Sequence, residues 1–138
     1  MEFVDTNILL YAYDPAAGER HEAASALVDR LWRDRRGALS IQVLQEFYVN
    51  VTRKITKTMA PDVAVDTLKS LARWRVHSPL GDDVIAAAAL SSRHQLSFWN
   101  AMIVRSAAEL RCDTLWTEDL DDGQVIEGVQ LTNPFTRT

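Results

Sequence analysis

The chain has 138 residues, 47% of them apolar and 25% charged, with a formal charge of −4. That length suits one domain with a sizeable core, and the composition is ordinary for a soluble globular protein. The acidic balance excludes a protein that grips nucleic acid over its whole surface, so any such site has to be a local patch or bridged by metal. Cys112, the single cysteine, leaves no internal disulfide, argues against a zinc cluster and fits a reducing cytosol. Met1 leads straight into an apolar run with no basic leader, and no apolar run approaches the ~20 residues of a membrane span. A cytoplasmic protein with no membrane segment is therefore expected.

Residues 2–4 read as a first strand, ending in Asp5. Residues 7–13 then form a short helix, and Asp14 to Gly18 a loop. Ala24, Leu27, Val28, Leu31 and Trp32 recur on one face of a second helix, with Gly37 as its terminating glycine. Ala38-Leu39-Ser40 is a second strand, and Ser40 caps a third helix striped by Leu44, Phe47, Tyr48, Val51 and Ile55. Glu46 lies off that stripe. Pro61 suits the first position of a fourth helix, whose buried face is Ala64, Val65, Leu68, Leu71 and Ala72. Val76 and His77 form a third strand, Ser78 to Gly81 a turn, and residues 82–94 an alanine-rich helix. Ser97 caps a further helix, apolar nearly all round from Ala101 to Leu110 and therefore expected to be central. Asp113 to Trp116 is a fourth strand that delivers Thr117, Glu118 and Asp119. Residues 121–123 make a turn, and Val129 to Leu131 a last strand. Strands alternating with helices predict one α/β domain over residues 1–138, in three α/β/α layers around a central parallel sheet.

Ligands of such sheets lie outside the carboxyl ends of the strands. Asp5 follows the first strand, Glu46 sits on the helix after the second, and Asp119 follows the fourth, so parallel strands can bring all three to one end. The bland alternatives are an N-cap for Asp5 and surface positions for the other acids. Carboxylates without histidine or cysteine partners suit hard, oxygen-ligated cations, Mg²⁺ or Mn²⁺. Close carboxylates repel, and a divalent cation removes that cost. It can also lower the pKa of a bound water and hold a phosphodiester for in-line attack.

Val4-Asp5-Thr6-Asn7-Ile8-Leu9-Leu10-Tyr11 resembles the opening of PIN-domain proteins, in particular VapC-type toxins of bacterial toxin–antitoxin pairs. Gln45-Glu46-Phe47 resembles their second acidic motif, and Leu96-Ser97-Phe98-Trp99-Asn100-Ala101 their third. Leu115-Trp116-Thr117-Glu118-Asp119-Leu120, with Asp122-Gly123-Gln124 and Asn133-Pro134-Phe135, resembles the fourth motif and the C-terminus. The resemblance implies a metal-dependent ribonuclease that cuts RNA with a metal-activated water, forms a homodimer and is held inactive by a cognate antitoxin. It makes Asp5, Glu46 and Asp119 metal-ligating and catalytic. Thr6 and Thr117 become partners for carboxylates or a metal-bound water. Glu118, turned away by strand alternation, belongs behind the site, and Asn7 fixes the turn.

Position 100 departs from the pattern, which has Asp where this chain has Asn100. Asn keeps one oxygen and loses the charge. A unit charge pair at ~4 Å is worth on the order of 4 kcal/mol at an effective dielectric of about 20. A cation should bind less well here, or a second one be lost. Asn100 reads as a deliberate change that disarms the site. The alternatives are a weakly active natural variant, a non-catalytic member that binds RNA or a partner, or a plain polar residue in a first helical turn.

Arg33, Arg35 and Arg36, and likewise Arg53, Lys54 and Lys57, can line an RNA path or simply be solvated helix ends. The histidines show no ligand spacing. Trp99 can shape a pocket rim. A receiver-type signalling domain is the rival from another class, and it needs a lysine on a late strand end; no lysine follows Lys69.

Overall fold

The structure is a computed structural model, described here for residues 1–55 and 57–135. Strand β1 (Glu2–Val4) leads into α1 (Thr6–Ala12), a 3-10 turn (Pro15–Ala17) and α2 (Glu19–Asp34). Then follow β2 (Gly37–Ser40), α3 (Ile41–Arg53), α4 (Pro61–Leu71) and β3 (Arg75–His77). The second half holds α5 (Gly81–His94), α6 (Phe98–Glu109), β4 (Thr114–Trp116), β5 (Val125–Ile126) and β6 (Val129–Thr132).

These strands form one sheet in the order β3-β2-β1-β4-β6-β5. All neighbours are parallel except β5 and β6. The chain steps outward from β1 to β2 to β3, then returns across the sheet to β4. Right-handed crossovers therefore put α1 to α4 on one face and α5 and α6 on the other, in agreement with the packing of α1 on α2 and α3 and of α5 on α6. This is the expected α/β/α sandwich. Helices on both faces explain why β1 and β2 are buried at every residue. Phe3, Leu39, Leu115 and Leu131 from the strands meet Ile8, Leu9, Phe47 and Ile103 from the helices in the core. Each such side chain contributes ~1.5–3 kcal/mol by leaving water.

Local chemistry sets several boundaries. Ser40 accepts a hydrogen bond from the Val43 N–H at 3.3 Å, and Ser97 from the Asn100 N–H at 3.1 Å, so both predicted caps form. Pro61 stands in the first turn of α4, as its fixed φ favours. Asp5 itself caps α1, which begins at Thr6, one residue earlier than the apolar pattern indicates. His77 joins the layers through Ser106 Oγ at 2.8 Å and Asp83 at 3.4 Å.

Two sequence expectations fail, and one strand goes unforeseen. Gly37 does not end α2. Arg35, at φ 54°, takes the left-handed position, and the Arg36 N–H closes back on the Leu31 carbonyl at 3.2 Å. Gly37 begins β2, where a Cβ would lie 2.3 Å from the Trp74 ring. In α4 only Ala64 and Leu71 are buried; Val65 and Ala72 face solvent. The last strand also acquires an antiparallel partner, β5, too short to leave a periodic signal.

No helix among the described residues is long and apolar enough to cross a membrane.

Candidate active site

Asp5 leaves the sheet between β1 and β4, where the chain order reverses. Such a switch point opens a crevice at the carboxyl ends of the strands. Its backbone N–H still donates to the Trp116 carbonyl at 3.0 Å, so the last rung of the β1–β4 ladder positions it. The side chain is only 6% exposed. One oxygen accepts from the Thr6 N–H at 2.7 Å, the other from Thr117 Oγ1 at 2.9 Å. Burial pushes its pKa up to about 6, those two donors pull it down, and the carboxylates of Asp119 and Glu46 push it up again. Helix capping and a place in an acid cluster thus coincide in one residue.

Glu46, in the second turn of α3, is oriented from two sides. Thr6 Oγ1 donates to its Oε1 at 3.0 Å, and Gln42 Nε2 lies 3.4 Å from the same oxygen. Asp119 follows β4. Asn7 Nδ2 donates to its Oδ2 at 3.2 Å, and its own N–H donates to Thr117 Oγ1 at 3.3 Å. Burial first, then the adjacent Glu118, raises the Asp119 pKa, against the Asn7 bond. Thr117 thus links two of the acids through one hydroxyl. Glu118 points to another set of partners, the Tyr11 hydroxyl and Arg20 Nε at 3.2 Å. Arg20 in turn lies over the Tyr11 and Phe135 rings, 5.8 and 5.3 Å from their centroids.

Asn100 stands in the first turn of α6, half-buried. Among the described residues its side chain makes no hydrogen bond to Asp5, Glu46 or Asp119. Its neighbour is nevertheless tied to the cluster, because Gln42 Nε2 also lies 3.3 Å from the Trp99 carbonyl. Trp99 is 64% exposed and packed edge-to-face against Phe98.

The structure therefore brings Asp5, Glu46, Asp119, Thr6 and Thr117 together, and connects the α6 end that carries Asn100 to them only through Gln42 and the Trp99 carbonyl. It corrects Asn7, which holds a site acid rather than merely shaping the turn. Sequence reasoning passed over Gln42, Tyr11 and Arg20, whose partners are remote in the chain and leave no local pattern. Among the described residues no lysine or arginine pairs with Asp5, Glu46 or Asp119. Donor chemistry fits a hard divalent cation: all oxygens, net negative, one of them desolvated. No three acidic, histidine or cysteine side chains among the described residues close on a single point as a ready cage. Mg²⁺ tolerates that, since it keeps several waters and binds through one or two carboxylates.

The basic run after α2 divides. Arg36 is taken by Glu2 at 3.1 Å and Asp113 at 3.3 Å, whereas Arg33 and Arg35 line separate concavities. A concavity of about 750 Å³ lies at the amino ends of the strands, across the sheet from Asp5. The acids lie instead at the carboxyl ends of the strands and line neither this concavity nor those beside Arg33 and Leu44.

A family profile described as PIN domain matches residues 3–125. Among solved structures the fold is similar to VapC20 of Mycobacterium tuberculosis, a sarcin-ricin loop cleaving toxin. That likeness has 23% identity over 88% of this chain and 92% of that one, with a TM-score of 0.66. A toxin-antitoxin complex from Klebsiella pneumoniae is similar at 21% identity, covering 98% of both chains, with a TM-score of 0.73. FitAB bound to an IR36 DNA fragment is similar at 18% identity over 100% of this chain and 98% of that one, with a TM-score of 0.71. No curated protein gives a significant match. At these identities the structural likeness speaks for the fold, and the profile for descent: the chain belongs to the PIN domain family.

Proposed function

We propose that this chain is the endoribonuclease toxin of a toxin–antitoxin pair, and that it hydrolyses RNA phosphodiesters at Asp5, Glu46 and Asp119. The observation that carries this is Asp5, a buried carboxylate facing two others, with no cationic side chain paired to any of them among the described residues, at the switch point of a PIN fold. Toxin relatives of the same fold support it.

When bound, Mg²⁺ or Mn²⁺ supplies a lowered water pKa and neutralises charge on the reacting phosphate. The chain's own residues prepare the place. Thr6 N–H and Thr117 Oγ1 hold Asp5 so that its oxygens stay ordered. Thr6 Oγ1 and Gln42 hold Glu46, and Asn7 holds Asp119. Asn100, uncharged, leaves the cluster one negative charge short of the family pattern and so impairs it. The reading places the protein in the cytoplasm as a homodimer with a cognate antitoxin. An apolar groove of about 410 Å³ between α3 and α4, lined by Ile41, Leu44, Tyr48 and Leu68, gives a partner surface to cover.

The test is RNA cleavage by the parent and by Asn100→Asp, with Mn²⁺ and with chelator. Cleavage should rise at least ~10-fold in Asn100→Asp, in keeping with one restored charge at the cation, and vanish with chelator. A well-folded Asn100→Asp that cuts nothing under either condition would favour the second reading, a PIN-fold protein that binds RNA or a partner without cutting. Asn100 itself is what keeps that second reading open.

A further inference from the structure

The 750 Å³ cleft at the amino ends of the strands is lined by Trp32, Arg35, Gly37, Arg73, Trp74 and Arg75, among others. Its size falls within the range of ligand sites. Arg35, Arg73 and Arg75 are exposed, and none has a carboxylate within ion-pair distance among the described residues. The acids nearby are already occupied. Glu2 takes Arg30 and Arg36, Asp113 takes Arg36, and Asp34 takes Arg30. Three unpaired guanidinium groups thus share one concavity in a chain of net charge −4. Such a set of exposed cationic groups around one concavity favours an anionic ligand.

The aromatic residues narrow the anion's class. Trp74 lies on the backbone of Gly37, which has no Cβ to obstruct it. Trp32 stands edge-to-face against Trp74, with ring centroids 5.3 Å apart, and is itself half-buried. It forms a ridge between this cleft and a second concavity that carries Arg33. Arginines on both sides of a partly open indole offer phosphate contacts and a surface for a base to stack on. An acidic peptide would use the charges but not the ring.

We propose that this cleft is a second, non-catalytic site that binds the phosphate backbone of single-stranded RNA. It deepens the proposed function, since it rests on RNA being the polymer handled at Asp5. Strand β2 connects the two places. Gly37 floors the cleft at one end, and Ser40 leads into the helix of Glu46 at the other. Its four residues, at ~3.3 Å each, separate the two by roughly 10–13 Å across the sheet. One RNA strand passing the β3 edge, which starts at Arg75, can occupy both. The cleft then sets how long an RNA must be to bind well, and the carboxylates set where it is cut.

The test is equilibrium binding of a labelled single-stranded RNA, with chelator present so that no cleavage intervenes, over a salt series. The protein is compared with an Arg35→Gln/Arg73→Gln/Arg75→Gln variant. A control replaces Lys69 and Arg93, both exposed and outside the cleft, by Gln. Loss of three phosphate contacts should flatten the slope of log K against log salt by about 2. It should also weaken binding at low salt by at least tenfold, with the control unchanged. An Arg-to-Lys triple variant, which keeps the charge and guards against misfolding, should keep the slope. Equal affinity and slope in the cleft variant, or an equal loss in the control, would overturn the proposal. So would displacement of the RNA by poly-glutamate as readily as by unlabelled RNA. Cleavage reports separately: a protein that never cuts RNA but binds it through these arginines loses the catalytic reading and keeps this one.

Discussion

At the scale of single residues, the chemistry concentrates on Asp5. Its surroundings work against its charge: burial and two neighbouring carboxylates raise its pKa to about 6, against 3.8 ordinarily. A carboxyl group with a raised folded pKa stabilises the fold only while protonated. Metal-free protein should therefore lose stability as pH rises from about 4 to about 6, by as much as ~3 kcal/mol from this group. Asp5→Asn should remove that loss and melt higher than the parent at neutral pH in chelator. Its amide oxygen can still accept from the Thr6 N–H, and the Thr117 hydroxyl can turn to accept. A thermal melt in which Asp5→Asn is no more stable than the parent above pH 6 would mean that Asp5 carries no such strain. Stability given up at a site of this kind is a usual cost of function. In the proposed reading Asn100 is the counterpart, because its replacement by Asp would add charge to the same cluster.

At the scale of elements, the helices stop and start where their own residues say, and the strands where remote residues say. Ser40 and Ser97 act on N–H groups three residues away, so both caps were legible in the sequence. Gly37 was misread because its reason lies in Trp74, on the far side of α3 and α4. Gly37→Ala should force that ring to move and cost roughly 1–3 kcal/mol as overpacking does, measurable by denaturant unfolding. A loss within error of zero would show that the ring relocates freely. The same distinction explains the site. Asp5, Glu46 and Asp119 were legible because strand ends mark where they must sit. Their holders Asn7 and Gln42 were not, because a hydrogen bond between side chains of different elements leaves no period in the sequence. The Tyr11–Glu118–Arg20 chain escaped notice for the same reason.

At the scale of the whole molecule, the sheet is electrically polar. Its carboxyl ends gather Asp5, Glu46 and Asp119, which have no basic partner among the described residues, and its amino ends gather arginines around Glu2 and the cleft. Glu2 accepts hydrogen bonds from Arg30, Arg36 and Trp116, and Arg30 above all holds its pKa down at about 2, from 4.5. A depressed carboxyl pKa stabilises above the unfolded value and loses that contribution as pH falls through the folded one. Acid unfolding should thus have a component between about pH 4.5 and 2. Glu2→Gln should cost roughly 2 kcal/mol at neutral pH, once the partial exposure of both arginines is allowed for. An acid transition that Glu2→Gln leaves unchanged would assign it to other carboxylates.

The central claim is that Asp5, Glu46 and Asp119 form one divalent-cation site weakened by Asn100. Calorimetric titration of Mn²⁺ into the parent, Asp5→Asn and Asn100→Asp tests it directly. The account predicts weak binding by the parent, none by Asp5→Asn, and binding at least ~10-fold tighter by Asn100→Asp, as one added charge near the cation requires. Equal Mn²⁺ binding by all three would contradict it, because the ion would then be held somewhere other than among these carboxylates.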